Sequence, residues 1–288
     1  MDDPLKTLRK RFRAWRNAAR LRRERDRYEK TLSARSLAVP DEAQIRQIIR
    51  DRFPSLQPRT KGTLRMIAVY HHYNWENLSL LPALRKFGSV RHYDWGAQFD
   101  HSREEAWHRS VKEQMNSDLV EHVRSWIDKD GADVIFMYVS GELVFPETLR
   151  SLRCLGVPLV NLSLNDKENF VGKVRRGLAM GSRDIARCFD LCCTSTEDAL
   201  KKYVAEGAVP LYLPEGANPE VHRPYSLERK VDVSFVGQCY GNRRETIERL
   251  GPASYLAGQA DWFVVSGRSG EAIYYVKTAL RRGAFTLW

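Results

Sequence analysis

The chain has 288 residues, of which 43% are hydrophobic, and a formal net charge of +11 at pH 7. This length suffices for one large α/β domain or for two domains of ordinary size. Its apolar stretches fall short of the roughly 20 residues that a membrane-spanning helix requires, and no signal-peptide core follows the basic N-terminus. We therefore predict a cytoplasmic protein.

The five cysteines lack the CxxC spacing of metal sites and redox motifs. Most of them lie in or beside apolar segments, where a free thiol behaves as a small hydrophobic side chain. We predict structural cysteines and no bound metal.

The positive charge is concentrated at the N-terminus. Residues 1–35 hold 13 Lys or Arg against 5 Asp or Glu, whereas the rest of the chain is nearly neutral. This distribution argues against a nucleic-acid-binding surface spread over the fold. Nucleic-acid binding remains possible only through residues 6–30. It indicates an appendage with its own partner.

The same segment predicts a basic amphipathic helix, because apolar residues recur at helical spacing: Leu5, Leu8, Phe12, Trp15 and Ala19. One interpretation is that residues 5–30 attach the protein to an anionic membrane surface, at the inner face of the membrane. The other is a solvated helix that packs its apolar stripe on the protein body or on a partner. With a second short helix at 41–53, residues 1–60 form a basic helical extension.

From residue 64 onward, strand-like apolar runs alternate with helical patterns. The strand candidates are residues 64–70, 90–95, 134–139, 157–162, 191–195 and 209–213. The helix candidates are residues 78–87, 103–129, 146–155 and 197–206, and residues 182–187 are a further short element. Such alternation indicates a parallel sheet covered by helices on both faces. We predict a complete doubly wound, Rossmann-like α/β domain over residues 61–224, with ligands at the carboxyl ends of its strands.

The first loop at this edge follows the first strand and holds His71, His72 and Asn74. A histidine there could act as a general base or hold a sugar hydroxyl. The alternative is that these residues are rim side chains hydrogen-bonded to the backbone.

Later loops at the same edge add carboxylates and amides. Glu142 follows the strand at 134–139, and Asn165 and Asp166 follow the strand at 157–162. Glu215 lies in a proline-rich loop after the last strand. A carboxylate at a strand end can accept from hydroxyls or orient a neighbouring base, although Asn-Asp is also ordinary turn chemistry. For Glu215, an exposed loop carboxylate is an equal alternative.

Residues 231–250 predict the start of a second domain. An apolar run at 231–236 ends at Gly237 and is followed by a helical pattern led by Arg243 and Arg244. A strand, tight turn and helix start of this kind can present backbone N–H groups and arginines to a phosphate. The chain has no GxGxxG, Walker, GxSxG or HExxH motif, so dehydrogenase, P-loop and serine-hydrolase functions lose their main support.

Four segments together resemble the CgeB-like glycosyltransferases, a bacterial family named after a spore maturation protein. They are ENLSLLPALRKFGSV, the strand and Asn-Asp segment at 157–166, FDLCCTSTEDALKKYVAEG at 189–207, and LYLPEGANPEVHRP followed by VDVSFVGQCYGNRRETIERL. The resemblance covers about residues 64–250. It implies a GT-B fold, in which two Rossmann-like domains face each other.

The resemblance also implies a hexosyltransferase-type reaction that moves a sugar from a nucleotide-sugar donor to a saccharide, protein or small-molecule acceptor, without a metal or other cofactor. Four residues would contact the donor, with the arginines near its diphosphate: Gly237, Arg243, Arg244 and Glu215. The catalytic candidates are His71 and Asp166. The acceptor-binding candidates are His72, Asn74, Glu142 and Asn165.

The chain departs from the family after Leu250, because the remaining 38 residues do not look like the rest of a donor-binding domain. We expect a truncated product in which residues 225–288 form a partial second domain that binds a nucleoside diphosphate weakly or not at all. The alternative function is a non-catalytic binding or scaffold protein, attached to a membrane or partner by the basic helix. The missing secretion signal disfavours a third function, a periplasmic-type ligand binder.

Overall fold

The computed structural model describes residues 4–73, 75–223 and Ser226. Residues Trp15–Gly216 form one compact unit, and residues 4–14 and 217–223 belong to a second one. Apart from Ser226, the predicted domain at 225–288 lies outside the described residues, as do four candidate site residues: Asn74, Gly237, Arg243 and Arg244. Within the described part of the chain, no helix combines the length and the apolar character needed to cross a lipid bilayer.

The centre of the larger unit is a six-stranded sheet in which all neighbouring strands are parallel. In spatial order the strands are Gly88–Tyr93 (β2), Leu64–Val69 (β1), Val134–Met137 (β3), Leu159–Ser163 (β4), Leu191–Thr194 (β7) and Pro210–Tyr212 (β8). A short antiparallel hairpin, Val174–Arg175 (β5) with Leu178–Ala179 (β6), is separate from this sheet. The predicted α/β class is confirmed, and the parallel sheet is Rossmann-like.

Helices flank the sheet and connect its strands. The α-helices are Pro4–Ala34 (α1), Glu42–Arg52 (α2), Leu81–Arg85 (α3), Trp95–Gln98 (α4), Glu104–Ala106 (α5), Lys112–Asp130 (α6), Pro146–Arg153 (α7), Asp166–Asn169 (α8) and Leu200–Ala205 (α9). Turns of π-helix at Glu76–Leu80 and Trp107–Val111 lead into α3 and α6. The predicted helix at 103–129 is thus a succession of α5, a π-turn and α6. The predicted element at 182–187 is reduced to a 3₁₀ turn at Ala186–Cys188.

The strands form where the sequence supplies apolar runs that can be covered on both faces. In β1, Met66, Ile67, Ala68 and Val69 are all buried, as expected of a parallel strand between helices. The helices contribute their own apolar faces to the same core through side chains that include Leu119, Val123, Leu149 and Leu152. Continuous apolar runs therefore explain why the strand positions could be predicted.

Helix α1 packs on the sheet domain through its C-terminal half. Tyr28 is buried, and its hydroxyl donates to Oε1 of Glu206 at 2.7 Å. Leu32 is buried in the same core. The predicted apolar stripe lies elsewhere on the helix, because Leu8, Phe12 and Trp15 are each more than half exposed. Helix α1 therefore packs on the protein body, as one interpretation of the sequence allowed. It does so through residues other than those of the stripe.

A carboxylate at the start of β3 ties two arginines to the amino-terminal edge of the sheet. Arg65 donates to Asp133 from its main-chain N–H at 2.9 Å and from its guanidinium at 2.8 and 3.2 Å. Arg59 adds a contact at 2.9 Å. The hydrogen bonds from Arg65 are the main cause that lowers the pKa of Asp133 to about 2. Asp133 therefore stabilises the fold mainly as a carboxylate.

This ion cluster predicts a loss of stability in acid. Because the pKa of Asp133 is lower in the folded protein than its ordinary value of 3.8, the stabilisation is complete above about pH 4 and is lost as the pH falls toward 2. Asp133→Asn should lower the thermal midpoint at pH 7 and flatten its pH dependence in that window. Scanning calorimetry across pH 2 to 7 measures both effects.

Asp128→Asn is the matched control, because Asp128 is exposed on α6. It should leave both the midpoint at pH 7 and the acid slope close to those of the parent protein. An Asp133→Asn protein with the parent's acid slope would show that other carboxylates cause it.

Candidate functional site

A cavity of about 410 Å³ opens at the carboxyl ends of the strands. The chain passes from β1 to β2 on one side and reaches β3 on the other, so β1 and β3 flank a topological switch point, where doubly wound sheets bind ligands. We call this space the switch-point cavity. Its polar lining comes from the loops after β1, β3 and β4 and from the hairpin segment: His71, Tyr73, Tyr138, Ser140, Glu142, Ser163, Asn165, Asn169, Lys173 and Ser182.

His71 forms a short hydrogen bond with Asp94 at this cavity. Its Nδ1 lies 2.6 Å from Oδ1 of Asp94, and both side chains are partly exposed. The two residues meet because Val69 pairs with Tyr93 in the parallel register of β1 and β2, and each strand then ends. A carboxylate can only accept, so Nδ1 donates and the lone pair of Nε2 stays available.

The His71 ring is held by aromatic neighbours and by close packing. Its centroid lies 4.6 Å from that of Tyr73, 5.2 Å from that of Trp95 and 5.4 Å from that of His101. Gly96 faces the ring so closely that an added Cβ would lie 2.4 Å from its Cγ and Nδ1. Asp94 is fixed in turn, because Oδ1 also accepts the N–H of Ala97 at the start of α4. The imidazole therefore has a defined orientation.

The loop after β3 is anchored from behind by the helical segment that ends in α6. Lys112 donates to the carbonyl of Gly141 at 2.6 Å, and Trp107 donates from Nε1 to the carbonyl of Glu142 at 3.1 Å. Glu142 lines the cavity, and its Oε1 lies 2.8 Å from Nε2 of His108. That pair is close but lacks the alignment of a hydrogen bond.

Asp166 serves the fold and is turned away from the cavity. It is buried, and within the described residues four hydroxyls donate to its carboxylate at 2.7 to 2.9 Å: those of Ser163, Ser182, Thr194 and Tyr203. A carboxylate with both oxygens occupied in this way has no open lone pair for a substrate. This geometry favours a structural role for Asp166, and its predicted catalytic role stays a prediction.

The other candidates separate into cavity residues and rim residues. Asn165 lines the cavity beside Ser163, in agreement with its predicted position. The Nδ1 of His72 accepts the main-chain N–H of Asn77 at 3.2 Å, which is the rim arrangement that the sequence left open as an alternative. Glu215 is exposed and accepts from the Ser195 hydroxyl at 3.1 Å. The predicted roles of Asn74, Gly237, Arg243 and Arg244 concern residues outside those described.

The tyrosines at this edge remain protonated at neutral pH. Burial, with the nearby Glu76 carboxylate, raises the pKa of Tyr70 to about 12 and the pKa of Tyr73 to about 12. The same causes raise the pKa of Tyr138. Among the described side chains, no group of three His, Cys, Asp or Glu residues is arranged to hold a metal ion.

The residue that sequence reasoning missed is Asp94. The strand was predicted to run over residues 90–95, which placed Asp94 inside it, whereas β2 ends at Tyr93. An aspartate that follows an apolar run and precedes a short helix is an N-cap signal, and this signal could have located the strand end. Its contact with His71 could be predicted only with the knowledge that β1 and β2 pair directly.

A structural role for Asp166 predicts a large effect on folding. Asp166→Ala should lower the free energy of unfolding by roughly 3 kcal/mol or more, because buried hydroxyls lose their acceptor. Asn165→Ala, one position away on the exposed side of the cavity, should change it by less than about 0.5 kcal/mol. Urea denaturation measures both. Equal stability of the two variants would return Asp166 to the list of catalytic candidates.

The packing of Gly96 predicts that a single methyl group disturbs the His71 tautomer. In the parent protein, long-range ¹H–¹⁵N NMR spectra should show the hydrogen of neutral His71 on Nδ1, because Asp94 accepts it. Gly96→Ala and Asp94→Asn should both produce a mixture of tautomers. Gly216→Ala provides the comparison, because among the described atoms an added Cβ there meets nothing within 4 Å and the φ of Gly216 is not left-handed, so the His71 tautomer should not change.

We compared the chain with protein-family models, with curated proteins and with solved structures, and no match was found in any of the three. Parallel α/β sheets of this kind support many unrelated functions. The role of the switch-point cavity is therefore inferred from its own side chains.

Proposed function

We propose that residues 61–224 are the acceptor-side domain of a nucleotide-sugar-dependent glycosyltransferase with a GT-B layout, similar to the CgeB-like family. The observation that carries the proposal is the His71–Asp94 pair, which presents an oriented imidazole to the switch-point cavity. Transfer of a sugar to a hydroxyl requires removal of a proton from that hydroxyl. An imidazole suits this step near neutral pH.

In this proposal, Nε2 of His71 takes the proton of the acceptor hydroxyl as its oxygen bonds to the sugar, and the nucleoside diphosphate leaves. Asp94 contributes in two ways. It holds the ring so that Nε2 is the free nitrogen, and its negative charge stabilises the imidazolium that forms. The short 2.6 Å contact and the second hydrogen bond from Ala97 support this role.

The rest of the cavity suits an acceptor with several hydroxyl groups. Ser140, Glu142 and Asn165 lie on the opposite side from the first loop and offer both donors and acceptors. Tyr73 is half exposed beside His71 and can cover an apolar face of a bound molecule. This combination of few polar groups and apolar surface is typical of small-molecule sites.

The donor side of the proposal depends on Glu215 and on three residues outside those described. Arg243 and Arg244 would bind the diphosphate through bidentate hydrogen bonds, near the backbone at Gly237. Glu215 would contact the donor from the loop after β8. No metal or other cofactor is part of the proposed reaction, because the two arginines would neutralise the leaving group.

The proposal predicts that donor turnover depends on the His71–Asp94 pair. With the whole chain and a panel of nucleotide sugars, His71→Gln should lower nucleoside diphosphate release by roughly 10²- to 10⁴-fold. Asp94→Asn should cause a smaller loss, because the base remains but its orientation and charge partner change. Chromatographic separation of nucleotides measures the release, and thermal midpoints show that the variants are folded.

His122→Gln is the matched control, because His122 also faces an aspartate: its Nδ1 lies 3.3 Å from Oδ2 of Asp118, on α6 and away from the cavity. This variant should retain the parent's turnover. Turnover that survives in His71→Gln would refute the assignment of the base. A parent protein that binds a nucleoside diphosphate yet releases none from any donor would favour the alternative function, a non-catalytic binding protein.

A further inference from the structure

A cavity of about 760 Å³ lies between the α5–α6 segment and the β5–β6 hairpin. We call it the hairpin cavity. Four basic residues line it: Arg109, Lys112, Arg175 and Arg176. Its apolar lining comes from Phe145, Leu178 and Met180. The function proposed above does not use this space.

Lys112 places a buried positive charge at the base of the hairpin cavity. It is 4% exposed, donates to the carbonyl of Gly141, and lies 4.3 Å from the centroid of the Phe145 ring. Burial lowers its pKa to about 8, while the nearby Glu142 opposes this shift. Within the described part of the chain no carboxylate is in hydrogen-bonding contact with this ammonium group, which would gain from a second negative charge nearby.

The arginines of the hairpin leave donors unused. Nε of Arg175 is buried and has no hydrogen-bond acceptor among the described residues, although its terminal nitrogen contacts Glu104. Arg109 and Arg176 form no ion pair within the described residues. Three carboxylates also line the cavity: Glu104, which is shared by Lys173 and Arg175, and the exposed Glu105 and Glu113. Against the four Lys and Arg residues they leave the lining with one excess positive charge.

The hairpin turn holds Arg176 in a conformation that arginine disfavours. Arg176 has a φ of 48° and Gly177 a φ of 82°, so both central residues of this two-residue turn are left-handed. Such turns prefer Asn or Asp followed by Gly, and other side chains are less stable there. A strained residue on the wall of a cavity indicates that its side chain is needed for another purpose.

We propose that the hairpin cavity binds a phosphate monoester whose organic part is apolar or aromatic. The guanidinium groups of Arg175, Arg176 and Arg109 receive the phosphate, because their planar donors match its oxygens. The organic part packs on Phe145, Leu178 and Met180. Lys112 lines the hairpin cavity and donates to Gly141, in the loop at Ser140–Glu142 that borders the switch-point cavity. The ligand therefore lies on the other side of this loop from the switch-point cavity.

Phenyl phosphate is the probe, and titration calorimetry with the whole chain at low salt is the measurement. The parent protein should bind with a dissociation constant below about 1 mM. Arg176→Asn should weaken binding about tenfold, since it loses one charge-assisted contact. It should also keep or raise the thermal midpoint, because Asn fits the left-handed turn better. A merely structural Arg176 would not give this combination.

The control variant is Arg124→Gln, which removes the same charge from an exposed position on α6 that is not part of the cavity. It should bind phenyl phosphate as the parent does. Equal losses in both variants would mean a general charge effect and would overturn the proposal, as would a parent protein that does not bind. Inorganic phosphate should bind more weakly than phenyl phosphate. Equal affinity for the two would refute the apolar part of the site.

Discussion

All the strands of the described sheet run in one direction, and this constraint determines where chemistry can occur. Each strand delivers its next residues to the same edge, so side chains that are far apart in the sequence become neighbours there. The pairing of Val69 with Tyr93 illustrates the effect, because it brings His71 and Asp94 into contact across 23 positions. The loops after β3 and β4 close the cavity from the other side of the switch point.

The loops at that edge are held by buried polar contacts rather than by apolar packing alone. Asp166 binds hydroxyls from β4, from β7, from α9 and from the segment after the hairpin, so four parts of the chain share one carboxylate. Lys112 and Asn116 hold the loop after β3 in a similar way, because their side chains donate hydrogen bonds to the carbonyls of Gly141 and Leu143. Such networks fix a unique arrangement of the loops, which the proposed site requires.

Sequence patterns predicted the strands well because a buried parallel strand is a continuous apolar run, and such runs are visible without knowledge of partners. They also placed His71, Glu142 and Asn165 at the correct edge. They could not show that Asp166 is buried, because most of the hydroxyls that donate to its carboxylate come from remote segments of the chain. The β5–β6 hairpin was missed because its strands have only two residues each. Strand pairing, which creates the His71–Asp94 contact, is likewise a property of the whole chain.

The packing of α1 makes residues Trp15–Ala34 of the basic N-terminal helix part of the sheet domain. Glu24 accepts from Lys202 at 2.8 Å, and the same ammonium group also donates to the carbonyl of Asp166. Tyr28 meets the ring of Phe170 edge to face, with centroids 5.8 Å apart. A shortened protein that began after Ala34 would leave the buried Lys202 without the Glu24 carboxylate, and it would expose the part of Phe170 that Tyr28 contacts. The C-terminal half of α1 therefore covers part of the core of the sheet domain.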